Sequence, residues 1–157
     1  MTTEIKSFQV EKIKYPLQVF RCLNPEPSPH LTQFFKAELK IISNDRIELL
    51  FGVQVVMEKE VNLEPQNHSL HGTVEALATI SIEGNIENPG SKDEIPMLAN
   101  MLAFMYPFIR EKIHSGFACN TIDIFLPSMN FYSFVDEVLN NIVIIDERTT
   151  YESKKPV

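Results

Sequence analysis

The residues that could do chemistry are few, and their spacing suits none of the common reactions. His68 and His71 stand three apart, as metal ligands often do, but they flank the start of an expected strand and no third ligand follows at a usable spacing. Two isolated surface histidines are the better reading. Cys22 and Cys119 lie far apart and neither has a second cysteine nearby, which leaves no framework for zinc or thiol–disulfide chemistry. Both are expected as free, buried thiols. There is no Gly-x-Ser-x-Gly elbow, no phosphate-binding glycine loop and no His-Glu-x-x-His. Five glycines in all leave little material for a backbone phosphate cradle. Asp136 and Glu137 are adjacent acids, but an acid–base pair needs a cleft to shift its carboxyls, so a solvated helix face is expected. Arg110, Glu111 and Lys112 point to different sides of a helix. Arg110 is left to cap carbonyls, to pair across a subunit boundary or to face water. The expectation is a protein that is not an enzyme, with no catalytic residue, no cofactor and no metal.

Composition narrows the alternatives. A chain of 157 residues fits one domain and can bury a core without metal or disulfide staples. Its 44% hydrophobic and 22% charged content are ordinary globular values. With 14 basic and 21 acidic residues the net charge is −7, and no basic run could grip phosphates, so nucleic acid is not an expected partner. The start, Met1-Thr2-Thr3-Glu4-Ile5-Lys6, lacks an apolar export segment, and no stretch reaches the ~20 apolar residues that span a bilayer. A cytoplasmic protein with no membrane insertion is expected.

The elements that position these residues change character halfway along the chain. Phe35, Ala37, Leu39 and Ile41 alternate with polar neighbours; Ile47, Leu49, Phe51, Val53, Val55 and Met57 repeat the period. Leu70, Gly72, Val74, Ala76, Ala78, Ile80 and Ile82 do so again. A period of two means strands with one buried face, and Asn44-Asp45 supplies a hairpin turn between the first two. Phe8 to Arg21 also reads as strand, but its apolar phase shifts from even (Phe8, Val10) to odd (Ile13, Tyr15, Leu17, Val19). A one-residue slip swaps faces, so a bulge or break is expected near Lys12 or near Pro16. Pro25, Pro27 and Pro29 mark one loop and Pro65 another.

After Asn88-Pro89-Gly90 the period becomes helical. Ser91 and Glu94 form a capping-box pair. Ile95, Leu98, Leu102, Met105 and Ile109 line one stripe; Met97, Met101, Phe104 and Phe108 line a second. A surface helix of a monomer needs one apolar stripe, so the second predicts another subunit as cover. Pro107 predicts a kink, and His114 with Gly116 a helix end. Ser128 or Asn130 can cap a second helix with Phe131, Phe134, Val135, Val138 and Leu139 on its apolar face. Ile142 to Ile145 either extend that helix or form a short extra strand. Residues 1–146 are expected as one domain and 147–157 as a polar, mobile tail. Four strands followed by helices argue α+β. The helical half is rich in Met and Phe, the residues of adaptable binding surfaces, and more apolar area than one sheet face can hide must be met by an oligomer, a client or both.

Tyr106-Pro107-Phe108-Ile109-Arg110-Glu111, then Gly116-Phe117, then Leu126-Pro127-Ser128-Met129-Asn130-Phe131 resemble the SecB family of protein-export chaperones. That family carries an aromatic-Pro-aromatic-x-Arg-Glu step and a Leu-Pro-Pro-Val-Asn-Phe-like segment; here Ser128 and Met129 replace the second proline and the valine. The likeness spans roughly residues 8 to 139. It implies a four-stranded antiparallel sheet followed by two helices, assembled as a dimer of dimers with the first helices sandwiched between. Leu98, Met101, Leu102, Met105, Phe108 and Ile109 would then line the oligomer interface. It also implies an ATP-independent holdase, with Phe117, Ile124, Phe125, Met129, Phe131, Tyr132 and Phe134 facing unfolded polypeptide clients. The family's members dock the SecA motor through acidic side chains on the sheet, but the matching positions here are Leu17, Arg21 and Thr73, which counts against that partner. Some SecB-like proteins instead protect an antitoxin of a toxin–antitoxin system, and that role stands beside export. An α+β oligomer binding an apolar small molecule is the alternative from another class.

Overall fold

The computed structural model describes residues 7–22, 31–58, 68–84, 94–118, 126 and 142–148. They form strands β1 (Phe8–Cys22), β2 (Leu31–Ser43), β3 (Arg46–Glu58) and β4 (His68–Ile82), helix α1 (Ile95–Ala118) and strand β5 (Val143–Asp146). The sheet order is β1-β4-β3-β2-β5. The first four strands pair antiparallel, as the alternation requires, and β5 adds to the β2 edge in parallel. The sheet is therefore five-stranded and mixed, and the extra strand is the second of the two outcomes expected for residues 142–145. The expected second helix, the loops at 23–30 and 59–67, and Ser91 lie outside the described residues.

Asn44-Asp45 makes the β2–β3 turn, held from outside by the Ile82 amide donating to the Asp45 carbonyl at 2.7 Å. The alternating apolar positions of β2, β3 and β4 all point one way and form the core with α1. Each buried Val, Leu, Ile or Phe among them stabilises the fold by roughly 1.5–3 kcal/mol through loss of water contact.

β1 slips twice, at Val10/Lys12 and again at Lys14/Leu17; each time it uses one residue more than β4. The first slip swaps faces and the second restores them. Ile13 therefore turns inward, but Leu17 and Val19, expected inward with it, are exposed, and Phe20 is the residue that packs against the core. Pro16 sits inside the second slip, where its missing N–H costs no ladder bond. Glu11, the extra residue of the first, reaches across to Arg46 at 2.8 Å.

α1 crosses the inner face in the direction of β1: Phe104 meets Phe8, Lys112 lies over the Tyr15 ring, and Gly116 meets Phe20. The helix begins as its stripe predicts, with the Glu94 carbonyl accepting the first bond from the Leu98 amide at 3.1 Å. It continues through Pro107, which is exposed, as is Ala103 one turn before, so the carbonyl freed by the missing N–H lies on the solvent side. It also continues past Gly116, the expected end, to Ala118. Gly116 is there for space: a Cβ would stand 2.2 Å from the Phe20 ring. Gly72 does the same on β4, where a Cβ would stand 2.5 Å from the Phe117 ring. The two rings meet edge to face at 5.1 Å, Phe117 of α1 lying over Gly72 of β4 and Phe20 of β1 over Gly116 of α1.

Candidate functional site

Apolar side chains left outside the core mark where this molecule could bind something, and among the described residues they fall in three places. The first is the outward side of α1. Phe104 and Phe108, one turn apart, are 44% and 41% exposed and touch each other at 5.5 Å; Phe8 of β1 extends the patch edge-on to Phe104 at 6.4 Å. The second is the outer sheet face, where Leu17 and Val19 of β1 and Phe34 of β2 are exposed. The third is β5, whose Val143, Ile144 and Ile145 are 53%, 36% and 40% exposed.

The helix stripes divide differently from their expected assignment. Leu98, Met101, Leu102, Met105 and Ile109, expected at an oligomer interface, are buried within the single subunit. Tyr106, Ile113 and Phe117 join them, so the buried face of α1 is wider than one stripe and takes in Met97 and Met101 from the second. Phe108 alone of the six faces outward, beside Phe104. The structure places Phe117, expected on the client surface, fully buried in the core between Phe20 and Gly72. Ile124, Phe125, Met129, Phe131, Tyr132 and Phe134, with Asp136 and Glu137, lie outside the described residues. Leu126, from the motif that carries the family resemblance, is buried, and its amide donates to His114 Nε2 at 3.2 Å. His114 thus holds Leu126 by its backbone, and its Nε2 must be the unprotonated nitrogen of the ring. The sequence signals a histidine near a helix end but not this bond.

The polar groups around these surfaces are occupied by one another. The Tyr106 hydroxyl donates to Gln33 Oε1 at 3.2 Å beneath Phe35, and Arg110 lies 5.9 Å from the Tyr106 ring centre. Burial pushes the Tyr106 hydroxyl above the ordinary tyrosine pKa of 10.0, with the Arg110 guanidinium opposing in part. Tyr15 is pushed up as well, by burial first and then by Glu111. On the outer sheet face His71 Nε2 lies 2.8 Å from Gln54 Nε2, which can donate to it, and 3.2 Å from Thr73 Oγ1. Among the described residues no group of three or more His, Cys, Asp or Glu is placed to hold a metal ion. Leu17, Arg21 and Thr73 share that outward face, since Leu17 pairs with Glu75 and Arg21 with His71. Glu75 is the acidic side chain among them, and Lys36 reaches it at 3.6 Å over Gly52. Among the described residues no helix is long and apolar enough to cross a membrane.

β5 is held at its C-terminal end. Arg148 donates from Nε and Nη2 to the two Asp146 carboxylate oxygens, each at 3.0 Å, and from Nη1 to Asn44 Oδ1 of the hairpin turn at 2.8 Å. Glu147 pairs with Lys40 of β2 at 3.1 Å and raises the Lys40 pKa, first through that hydrogen bond and then through its charge. Glu147 and Arg148, expected in the polar tail, therefore fasten the last strand to the sheet.

This is a SecB-like α+β fold, with a fifth strand added at the β2 edge. No protein-family model matches the chain, and no curated protein matches it in sequence. Among solved structures it is similar to the Mycobacterium tuberculosis SecB-like chaperone Rv1957, solved in complex with a ChAD peptide from the Rv1956 HigA1 antitoxin. The TM-score is 0.55 at 14% identity, over 78% of this chain and 90% of that one. A Streptococcus agalactiae protein of unknown function also matches, with a TM-score of 0.46 and 12% identity over 78% of this chain and 98% of that one.

Proposed function

We propose that this chain is an ATP-independent holdase that keeps polypeptide clients unfolded on apolar surfaces and has no catalytic chemistry of its own. The observation that carries the reading is a SecB-like fold whose long helix, its core face already filled, still turns Phe104 and Phe108 to the outside. Aromatic pairs of this kind in water mark interaction surfaces. In the assembly we infer, a dimer of dimers, Phe104 and Phe108 meet their counterparts on other subunits. Clients bind through Ile124, Phe125, Met129, Phe131, Tyr132 and Phe134, the residues the family resemblance implies. Many small apolar contacts, each offset in part by ordering, give affinity without sequence specificity.

The test is suppression of aggregation of a reduced, unfolded client, followed by light scattering. Suppression near one client per assembly is expected. Replacing Phe125 and Phe131 with serine should weaken it more than it lowers the melting temperature; equal losses of both would place those rings in the core and remove them from the client surface.

Two versions of the holdase differ in the client. Export is one. The other, protection of an antitoxin, is favoured by the structural neighbour, which was solved with a peptide from an antitoxin. Native mass spectrometry of the protein taken from its own cells separates them: a heterogeneous set of unfolded chains supports export, and one defined small protein supports the antitoxin.

A further inference from the structure

We infer that the outer edge of β5 is a strand-addition site for an extended apolar segment of an unfolded polypeptide. The inference rests on the holdase reading and gives that reading a backbone-directed contact in addition to its apolar surfaces.

The two edges of this sheet are built differently. β1, at one end, carries two register slips, Pro16 and the exposed lysines Lys12 and Lys14. These are the devices by which natural sheets discourage a further strand. β5, at the other end, presents Val-Ile-Ile in unbroken pairing with β2, from Glu38↔Val143 to Ile41↔Asp146. Three successive β-branched residues are stiff and hold the extended conformation that an added strand must match. Among the described residues nothing pairs with the outer side of Val143, Ile144 and Ile145, and all three keep much of their surface in water. The strand is also preorganised. Ile142 packs on the core before it, and the Arg148–Asp146–Asn44 and Glu147–Lys40 contacts fasten the chain after it. A fixed template spares an incoming peptide the cost of ordering its partner.

The occupant follows from size. A stable contact between folded copies needs about 20–30 residues a side. β5 is 4 residues long, too little to hold two subunits together by itself. An extended client needs no such area, because it gains main-chain hydrogen bonds here while its side chains bind elsewhere. Recognition through backbone groups is also indifferent to client sequence, which suits a protein that accepts unfolded chains.

The experiment uses the full chain and a permanently unfolded probe, reduced and carboxymethylated α-lactalbumin. Amide exchange at residues 143–146 is followed by NMR with and without the probe, beside the affinity of a Val143→Lys variant. Lysine at 143 faces Glu38 across the pair, so β5 stays docked while its edge gains a charge that disfavours strand addition. Slowed exchange on probe binding, with about fivefold to tenfold weaker binding by the variant, is the expected result. A probe that binds wild type and variant equally and leaves these amides unchanged overturns the inference while the holdase reading stands. Amides already protected in the free protein, and released on dilution, overturn it in favour of a second copy. A probe that does not bind at all overturns both.

Discussion

Gly72 and Gly116 are the positions where a single methyl group has the most to disturb. Each lies under a phenylalanine ring from a different element, the Cβ site of Gly72 2.5 Å from Phe117 of α1 and that of Gly116 2.2 Å from Phe20 of β1. Phe117 is fully buried and cannot retreat, whereas Phe20 sits on the edge strand and can swing out only by exposing its ring. Gly72→Ala should therefore destabilise by about 1–3 kcal/mol, as over-packing does. Gly116→Ala should cost about as much, and a Phe20→Leu background should recover part of that loss in urea titrations. Full additivity of the two changes would show that the contact is not what excludes the methyl. Tyr106 supplies a second residue-scale expectation. Its hydroxyl titrates above 10.0 in the folded chain and near that value in the unfolded one. The contribution is complete below pH about 10, where both states are protonated, and is lost as pH rises through the folded value, because the unfolded chain gives up its proton first. Denaturant midpoints should fall as pH rises above the ~10 of an ordinary tyrosine, and Tyr106→Phe should flatten that fall. An unchanged slope would show that Tyr106 does not contribute to it.

At the scale of elements, α1 and β5 show how neighbours decide what a pattern means. Two apolar stripes on α1 predict two covered sides, yet of the stripe side chains that the structure describes all but Phe104 and Phe108 are already buried within the one subunit. The double slip in β1 is a similar case. One phase change is visible in the alternation, and the second is hidden because Leu17 and Val19 continue the odd phase while facing outward. For β5 the deciding contacts come from beyond the strand, at Glu147 and Arg148. Arg148→Ala removes the bidentate bond to Asp146 and the tie to Asn44, so the amides of Val143–Asp146 should exchange about fivefold to tenfold faster while the core of β3 and β4 is unaffected. Equal acceleration throughout would mean that the clip supports the whole fold and not the strand alone.

For the whole molecule, the exposed Phe104 and Phe108 of α1 make the proposed assembly the property to test. Phe104→Ser combined with Phe108→Ser should lower the assembled mass measured by light scattering with little loss of melting temperature, since neither ring is in the core. A mass that stays the same would place the contact between subunits elsewhere and leave these rings to clients.

The strands β2, β3 and β4, their buried face and the Asn44-Asp45 turn were legible in the sequence, because a period of two has one solution once a face is buried. The helical stripe from Leu98 to Ile109 was legible for the same reason at the period of 3.6. Which surplus residues stay outside was decided only by the tertiary structure. Met101 and Phe108 read alike in a stripe, yet the folded subunit buries the first and leaves the second exposed. The same holds for the glycines: Gly116 resembles a helix end until Phe20 is placed beside it. Periodicity records the direction a side chain leaves its own backbone; what it meets there depends on elements distant in the chain.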